Sequence, residues 1–243
     1  MLIDPLITQL GTLGLRGMAR ALERQQGLAD TQGLPFEDRL GLLVQHEVAE
    51  RQSCRLAQRL RWAKLGQSAC IEDLDARTPR GIDRGRLMQL AQLDWIDQRL
   101  NVLITGPTGV GKSYIACALA HQACRHDRSV RYFRLSRLSE DLLRAGATQK
   151  RSAFFKQLAR IDLLVLDDFG LSPISEEVKR DLLEIIDDRF DRSSTIITSQ
   201  LPVDQWHRYL DDPTLADAIL DRVVHNAYRL ELQGESMRRR KAA

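Results

Sequence analysis

Apolar side chains in the first 26 residues fall at Leu2, Leu6, Leu10, Leu13 and Leu22, a helical stripe interrupted by glycines. The stretch 27–35, Gly-Leu-Ala-Asp-Thr-Gln-Gly-Leu-Pro, reads as a loop. From Phe36 to about Lys64 the helical period returns, with Leu40, Leu43, Val44, Leu56 and Leu60 as candidate inward positions. Residues 65–82 carry no period and contain Gly66, Pro79 and Gly81. A further helix is predicted from Asp83, a good N-cap residue, to Gln98.

At Asn101 the texture changes. Short continuous apolar runs at 102–105, 130–135, 163–166 and 195–198, with a fifth possible at 228–232, read as strands buried on both faces. Helical segments alternate with them: 112–126, a long pattern reaching Arg160, 176–190, 203–209 and 213–225. Alternation of this kind predicts an α/β fold with a five-stranded parallel sheet between helices. We expect a small all-helical N-terminal domain, residues 1–75, followed by the α/β core, residues 76–243, with their border inside 66–83.

Composition narrows the function without naming it. The chain has 243 residues, 28% charged and 43% apolar, an ordinary globular balance. Aromatics make up only 5%, which argues against base stacking as a main mode of nucleic-acid contact. The net charge of +3 is too small to decide anything alone, so the placement of cations must. Cys54, Cys70, Cys117 and Cys124 form no CxxC pair and read as free thiols. With no signal-peptide pattern and no apolar run of membrane-spanning length, the sequence predicts a cytoplasmic protein without a membrane partner.

The chemistry begins at Gly106-Pro107-Thr108-Gly109-Val110-Gly111-Lys112-Ser113, a complete G-x-x-x-x-G-K-[ST] motif between a predicted strand and a predicted helix, with Tyr114 following. Glycines allow the backbone N–H groups to wrap phosphate, and the helix start turns its positive end toward the anion. In such a loop Lys112 reaches the β- and γ-phosphates and the Ser113 hydroxyl ligates Mg2+. The run Leu163-Leu-Val-Leu-Asp167-Asp168 supplies the complement: an apolar strand carrying acids to the sheet's C-terminal edge. Asp167 is expected to hold Mg2+, and Asp168 to orient or deprotonate the attacking water.

These stretches, with Ser194-Thr-Ile-Ile-Thr-Ser-Gln-Leu-Pro202 and the tail Ala216–Arg238, resemble the AAA+ ATPases. Within them the chain is similar to the IstB-like transposition helpers, relatives of the DnaC/DnaI-type helicase loaders. The resemblance implies an ATP- and Mg2+-dependent ATPase that assembles as a homo-oligomer on double-stranded DNA and serves the transposase of the same element. A helicase loader is the alternative it leaves open. It implies a sensor residue at the tip of the fourth strand, with Thr198 and Gln200 as rivals. It also implies an arginine finger at Arg222 acting on a neighbouring subunit, and a second-sensor arginine at Arg238, with Arg229 an alternative to either. Two departures from AAA+ proteins at large stand out. Asp168 replaces the more usual Glu, and the residues after the fifth strand leave no room for a C-terminal lid domain.

Basic residues cluster at Arg51, Arg55 and Arg59, spaced to share one helix face, at Arg131, Arg134 and Arg137, and at Lys150 and Arg151 with Lys156. Cations at such spacing suit phosphates rather than base edges. They are the candidate contacts for duplex DNA, with largely sequence-independent and salt-sensitive binding.

Overall fold

The computed structural model describes residues 3–27, 33–74, 81 and 83–237. The chain forms two compact units, Met1–Gln58 and Arg59–Ala243. In the first, helix α1 (Ile3–Thr12) and helix α2 (Arg16–Gln26) are separated where Gly14 adopts a left-handed φ of 75°. Helix α3 (Phe36–Ala63) follows as one uninterrupted run, and the division between units falls inside it. That division lies earlier than the border expected in 66–83, because the last turn of α3 makes its contacts with the core: Arg59 donates to the Cys124 carbonyl at 3.1 Å.

In α2 the first backbone N–H groups have no helical partner. Glu47, on α3, supplies one: its carboxylate accepts from Gly17 N at 2.7 Å and Met18 N at 3.1 Å. A Cβ on Gly17 would lie 2.6 Å from the His46 carbonyl oxygen, so the close helix approach that permits this cap requires glycine there.

The single helix expected over 83–98 is two, α4 (Arg84–Ala91) and α5 (Asp94–Asp97). Asp83 does cap α4, accepting from Gly85 N at 2.8 Å. Between the two helices Leu93 takes φ 69° and buries its side chain, and Trp95 Nε1 donates to the Leu90 carbonyl at 2.9 Å. Burial of Leu93 and Trp95 thus overrides local propensity.

The core elements are β1 (Asn101–Thr105), α6 (Lys112–Arg125), β2 (Val130–Arg134), α7 (Leu135–Ala147), α8 (Arg151–Ala159) and β3 (Leu163–Phe169). After them come α9 (Glu176–Arg189), β4 (Ser194–Ser199), α10 (Trp206–Leu210), α11 (Pro213–Val224) and β5 (Ala227–Glu231). The long helical pattern before Arg160 is also divided. Gln149 adopts φ 56°, Lys150 N reaches the Ala145 carbonyl at 2.8 Å and Gln149 N the Gly146 carbonyl at 3.2 Å, a Schellman stop.

All five strands are parallel, in the order β2–β3–β4–β1–β5. Alternation sorts their side chains. Leu103, Phe133, Leu164, Leu166 and Ile197 join one apolar cluster with Leu138, Leu182 and Trp206. Val102, Ile104, Val130, Leu163, Val165 and Ile196 take the opposite face, where α6 packs across β1 to β4. Strands β1 and β4 are buried along their whole length, as a sheet covered on both faces requires. Arg189, nearly fully buried, bonds the carbonyls of Leu158, Ile161 and Ser194 at 2.5–2.8 Å and so ties α8, α9 and β4 together. The second unit is thus an α/β core, a five-stranded parallel sheet between helices.

Candidate nucleotide site

The phosphate loop leaves β1 at the sheet's C-terminal edge, beside the point where the chain crosses from β1 to the far strand β2, the usual ligand crevice of such sheets. Gly106, Gly109 and Gly111 have φ of 142°, 86° and 102°, conformations that a side chain resists. Lys112 is 6% exposed, and its Nζ donates to the Gly106 and Pro107 carbonyls, both at 2.8 Å. Burial lowers its pKa, opposed by the charges of Asp168 and Asp167. Val110 is buried under the loop, Thr108 Oγ1 donates to Gln200 Oε1 at 2.8 Å, and Tyr114 lies near Cys70 and Asp73, its phenol pKa raised mainly by burial.

The two acids owe their placement to a β-bulge. Between Leu166, opposite Ile197, and Phe169, opposite Ser199, two residues of β3 face the single Thr198 of β4. Regular alternation would send Asp168 into the apolar cluster. Instead Leu166 and Phe169 both enter it, and Asp168 takes φ 61° at the bulge. Thr198 holds the pair together. Its Oγ1 accepts from Asp168 N at 3.1 Å while its hydroxyl donates to Asp167 Oδ1. Ser113 Oγ donates to the same carboxylate oxygen at 2.8 Å. The loop serine, the strand acids and Thr198 therefore meet in one hydrogen-bonded group on the face that α6 covers.

Two participants were not anticipated. Tyr132 OH donates to Asp167 Oδ2 at 2.5 Å, and burial followed by this carboxylate raises the phenol's pKa. Arg134 lies beside Tyr132 and stands 3.9 Å from the Asp168 carboxylate. A sequence signal existed for the first: Phe133 faces the apolar cluster, so alternation puts Tyr132 on the same face as Asp167. The second unanticipated contact is the segment after β5. Leu232 N donates to the Thr105 carbonyl at 2.7 Å and Met237 N to the Gly109 carbonyl at 2.9 Å. A Cβ on Gly109 would stand 2.7 Å from Ser236 Cβ, and one on Gly106 would lie 3.0 Å from the Leu232 carbonyl carbon. Arg238, expected as a second sensor, lies outside the described residues.

The residues fit a magnesium ion. Ser113 and Asp167 offer oxygen only, and among the described residues no set of three or more His, Cys, Asp or Glu side chains could cage a metal. Mg2+ favours such an arrangement: one or two protein oxygens, with phosphate and water completing the shell.

Of the sensor rivals, Thr198 contacts both acids, whereas Gln200 contacts the loop through Thr108. Arg222 lies at the other end of the sheet. Its carbonyl accepts from Asn101 Nδ2 at the start of β1, and its guanidinium pairs with Asp187 at 2.5 Å. Five strand residues separate it from its own phosphate loop, a span of about 15 Å. Arg229 is in β5, the edge strand.

Several of the candidate DNA contacts meet partners within the chain. Arg51 pairs with Glu47 at 2.7 Å, and Arg59 with Asp127 and the Cys124 carbonyl. Arg131 stacks over the Trp62 and Phe133 rings at 5.1 and 5.2 Å and donates to the Trp62 carbonyl. Arg137 pairs with Glu140 at 2.7 Å, and Arg151 with Glu177 and, at 3.4 Å, Asp181. Arg55 and Lys150 are exposed. Spacing reports which face a residue occupies but not the acid that meets it there. Among the described residues no helix is long and apolar enough to cross a membrane.

Comparison with known proteins places this geometry. A protein of Sinorhizobium fredii described as the putative insertion sequence ATP-binding protein y4pL is 49% identical over 239 residues, 98% of each chain. The insertion sequence IS1162 putative ATP-binding protein of Pseudomonas fluorescens is 49% identical over 83% of this chain and 88% of its own. Among solved structures, DnaI matches with a TM-score of 0.60 and 22% identity over 72% of this chain and 93% of its own, a likeness of fold. The DnaC helicase loader matches with a TM-score of 0.54 and 18% identity over 68% and 96%. Residues 8–243 match the family described as IstB-like ATP binding protein, and the chain belongs to that family.

Proposed function

We propose that this chain is a magnesium-dependent ATPase that assembles with ATP on duplex DNA and hands the site to the transposase of its insertion sequence, hydrolysis acting as a switch. The observation that carries the ATPase reading is the bulge that sets Asp167 and Asp168 together on the phosphate-loop face, joined through Thr198 and Ser113. In this reading the loop N–H groups and Lys112 bind the triphosphate. Ser113 and Asp167 hold Mg2+, which on binding neutralises charge developing on the phosphates. Asp168 orients the attacking water, and Thr198 fixes both acids relative to each other. Asp is shorter than Glu, so slow turnover that rises with DNA or partner fits this site.

Arg222 cannot serve its own nucleotide from the opposite sheet edge, so its role as a finger requires a neighbouring subunit; Asp187 would hold it until assembly. Arg55 and Lys150 are exposed candidates for phosphate contact, and Arg51, Arg134 and Arg137 are exposed as well although each stands beside an acid. Repetition along an oligomer would multiply their modest individual effect. The insertion-sequence descriptions of relatives at 49% identity support a transposition role over helicase loading, for which DnaI and DnaC offer likeness of fold alone.

The test is ATP turnover and sedimentation with and without duplex DNA. Wild type is expected to assemble only with both ligands. Lys112→Ala is expected to abolish both assembly and turnover; retention of either at wild-type level rejects the site.

A further inference from the structure

The residues just after α3 lean on the magnesium-binding acid through one phenol. Tyr132 is 8% exposed, and its hydroxyl donates to Asp167 Oδ2 at 2.5 Å. The other carboxylate oxygen is taken by Ser113 and Thr198, so Tyr132 fixes the carboxylate's rotation. On its far side the phenol meets Gly66. A Cβ there would collide with the Tyr132 hydroxyl oxygen and stand 2.5 Å from Cζ and 2.9 Å from Cε1. The backbone of Gly66 and Gln67 also lies beside the thiol of Cys117, one turn along α6 from Ser113. Just before this connector, Arg131 of β2 stacks on Trp62 and bonds its carbonyl at 2.5 Å, which pins the end of α3 to the strand that carries Tyr132.

We propose that Tyr132 is a positioning residue for Asp167 and that the connector 64–67 sets where it stands, so that displacement of the connector alters the magnesium site. Three contacts converge on this claim: the phenol on Asp167, the glycine backbone on the phenol, and the same backbone on the helix bearing Ser113. Side chains at a packed contact shift together when one is forced aside. Tyr132 touches no reacting atom; it acts only through Asp167. The inference rests on the reading of Asp167 as a magnesium ligand.

The experiment measures the affinity of the full chain for a fluorescent non-hydrolysable ATP analogue, with Mg2+ and with EDTA. Tyr132→Phe is expected to leave the EDTA affinity within about twofold and to reduce the gain from Mg2+ by roughly five- to tenfold, the scale of one hydrogen bond to a charged group. Gly66→Ala is expected to reproduce that loss. In the double variant the losses should fail to add, because the hydroxyl oxygen in collision is gone. A Mg2+ gain at the wild-type level in either single variant overturns the proposal, as do additive losses. Should Gly66→Ala melt too early to assay, Tyr132→Leu on that background removes the colliding atoms. Recovery of the melting temperature then supports the contact, and no recovery overturns it. Asp167→Asn separates the two readings. If it abolishes the Mg2+ gain while Tyr132→Phe does not, this proposal fails and the ATPase site stands; if Asp167→Asn keeps the full gain, the site reading itself fails.

Discussion

The N-terminal unit and the nucleotide core bury their side chains by different means. In the core, Val102, Leu103, Ile104, Leu163, Val165 and Ile196 are shut off from solvent, and an apolar cluster fills one face of the sheet. Among the described residues of 3–58 the buried apolar side chains are Ala19, Ala21 and Leu22, while Leu13 and Phe36 are more than 70% exposed and Leu40, Val44 and Val48 also face solvent. Helices there are joined by a capping carboxylate, Glu47, by the close approach that Gly17 permits, by the Arg20–Glu50 ion pair and by Gln25 Nε2 donating to the Arg39 carbonyl at 3.2 Å. A core built from apolar area resists single changes at its surface. A unit held mainly by polar contacts and small residues is more open to local unfolding, and its exposed apolar side chains are available to a partner.

That contrast predicts which changes act on chemistry and which on structure. The largest effect belongs to the core: Asp167→Asn is expected to lower ATP turnover at least a hundredfold, measured as phosphate release, with the N-terminal helices still protected from hydrogen exchange. Thr198→Val keeps the side chain's shape but removes the oxygen that joins the acids. Turnover is expected to fall about tenfold while nucleotide affinity stays within twofold, and Gln200→Ala should do less. If Gln200→Ala does more, Gln200 is the sensor. Glu47→Ala is expected to speed amide exchange across residues 16–26 several-fold, with nucleotide affinity unaltered. Loss of nucleotide binding in that variant would break the distinction between the units. The smallest effect should come from the double change Val44→Ser with Val48→Ser. Thermal melting is expected to stay within about 2 °C of wild type, since exposed positions contribute little, whereas ATP- and DNA-dependent assembly should weaken on sedimentation.

Legibility in the sequence followed the same division. Buried strands are continuous apolar runs, so β1, β3 and β4 and the order of the core elements were readable from Val102, Leu163 and Thr195 onward. The phosphate loop was readable because its glycines and Lys112 are fixed by chemistry at a fixed spacing. What the sequence could not reveal depends on contacts between distant segments. The bulge at Asp167-Asp168 is set by how β3 pairs with β4, and nothing local marks it. The stops at Leu93 and Gln149 arise where burial or a backbone motif outweighs helical period. The partners of the arginines were hidden for the same reason. Arg59, Arg131 and Arg151 are cationic in sequence, but Asp127, Trp62 and Glu177 meet them only after folding.

The segment that follows β5 borrows two main-chain carbonyls, from Thr105 and from Gly109, on either side of the phosphate loop's first glycine. Shortening the chain at Leu232 would therefore be a change to the loop, not a neutral trimming of a terminus. Fluorophores attached at Glu235 would report on loop motion more directly than any label on the helices, and a tag that pulls on this end would perturb the loop it was meant to leave alone.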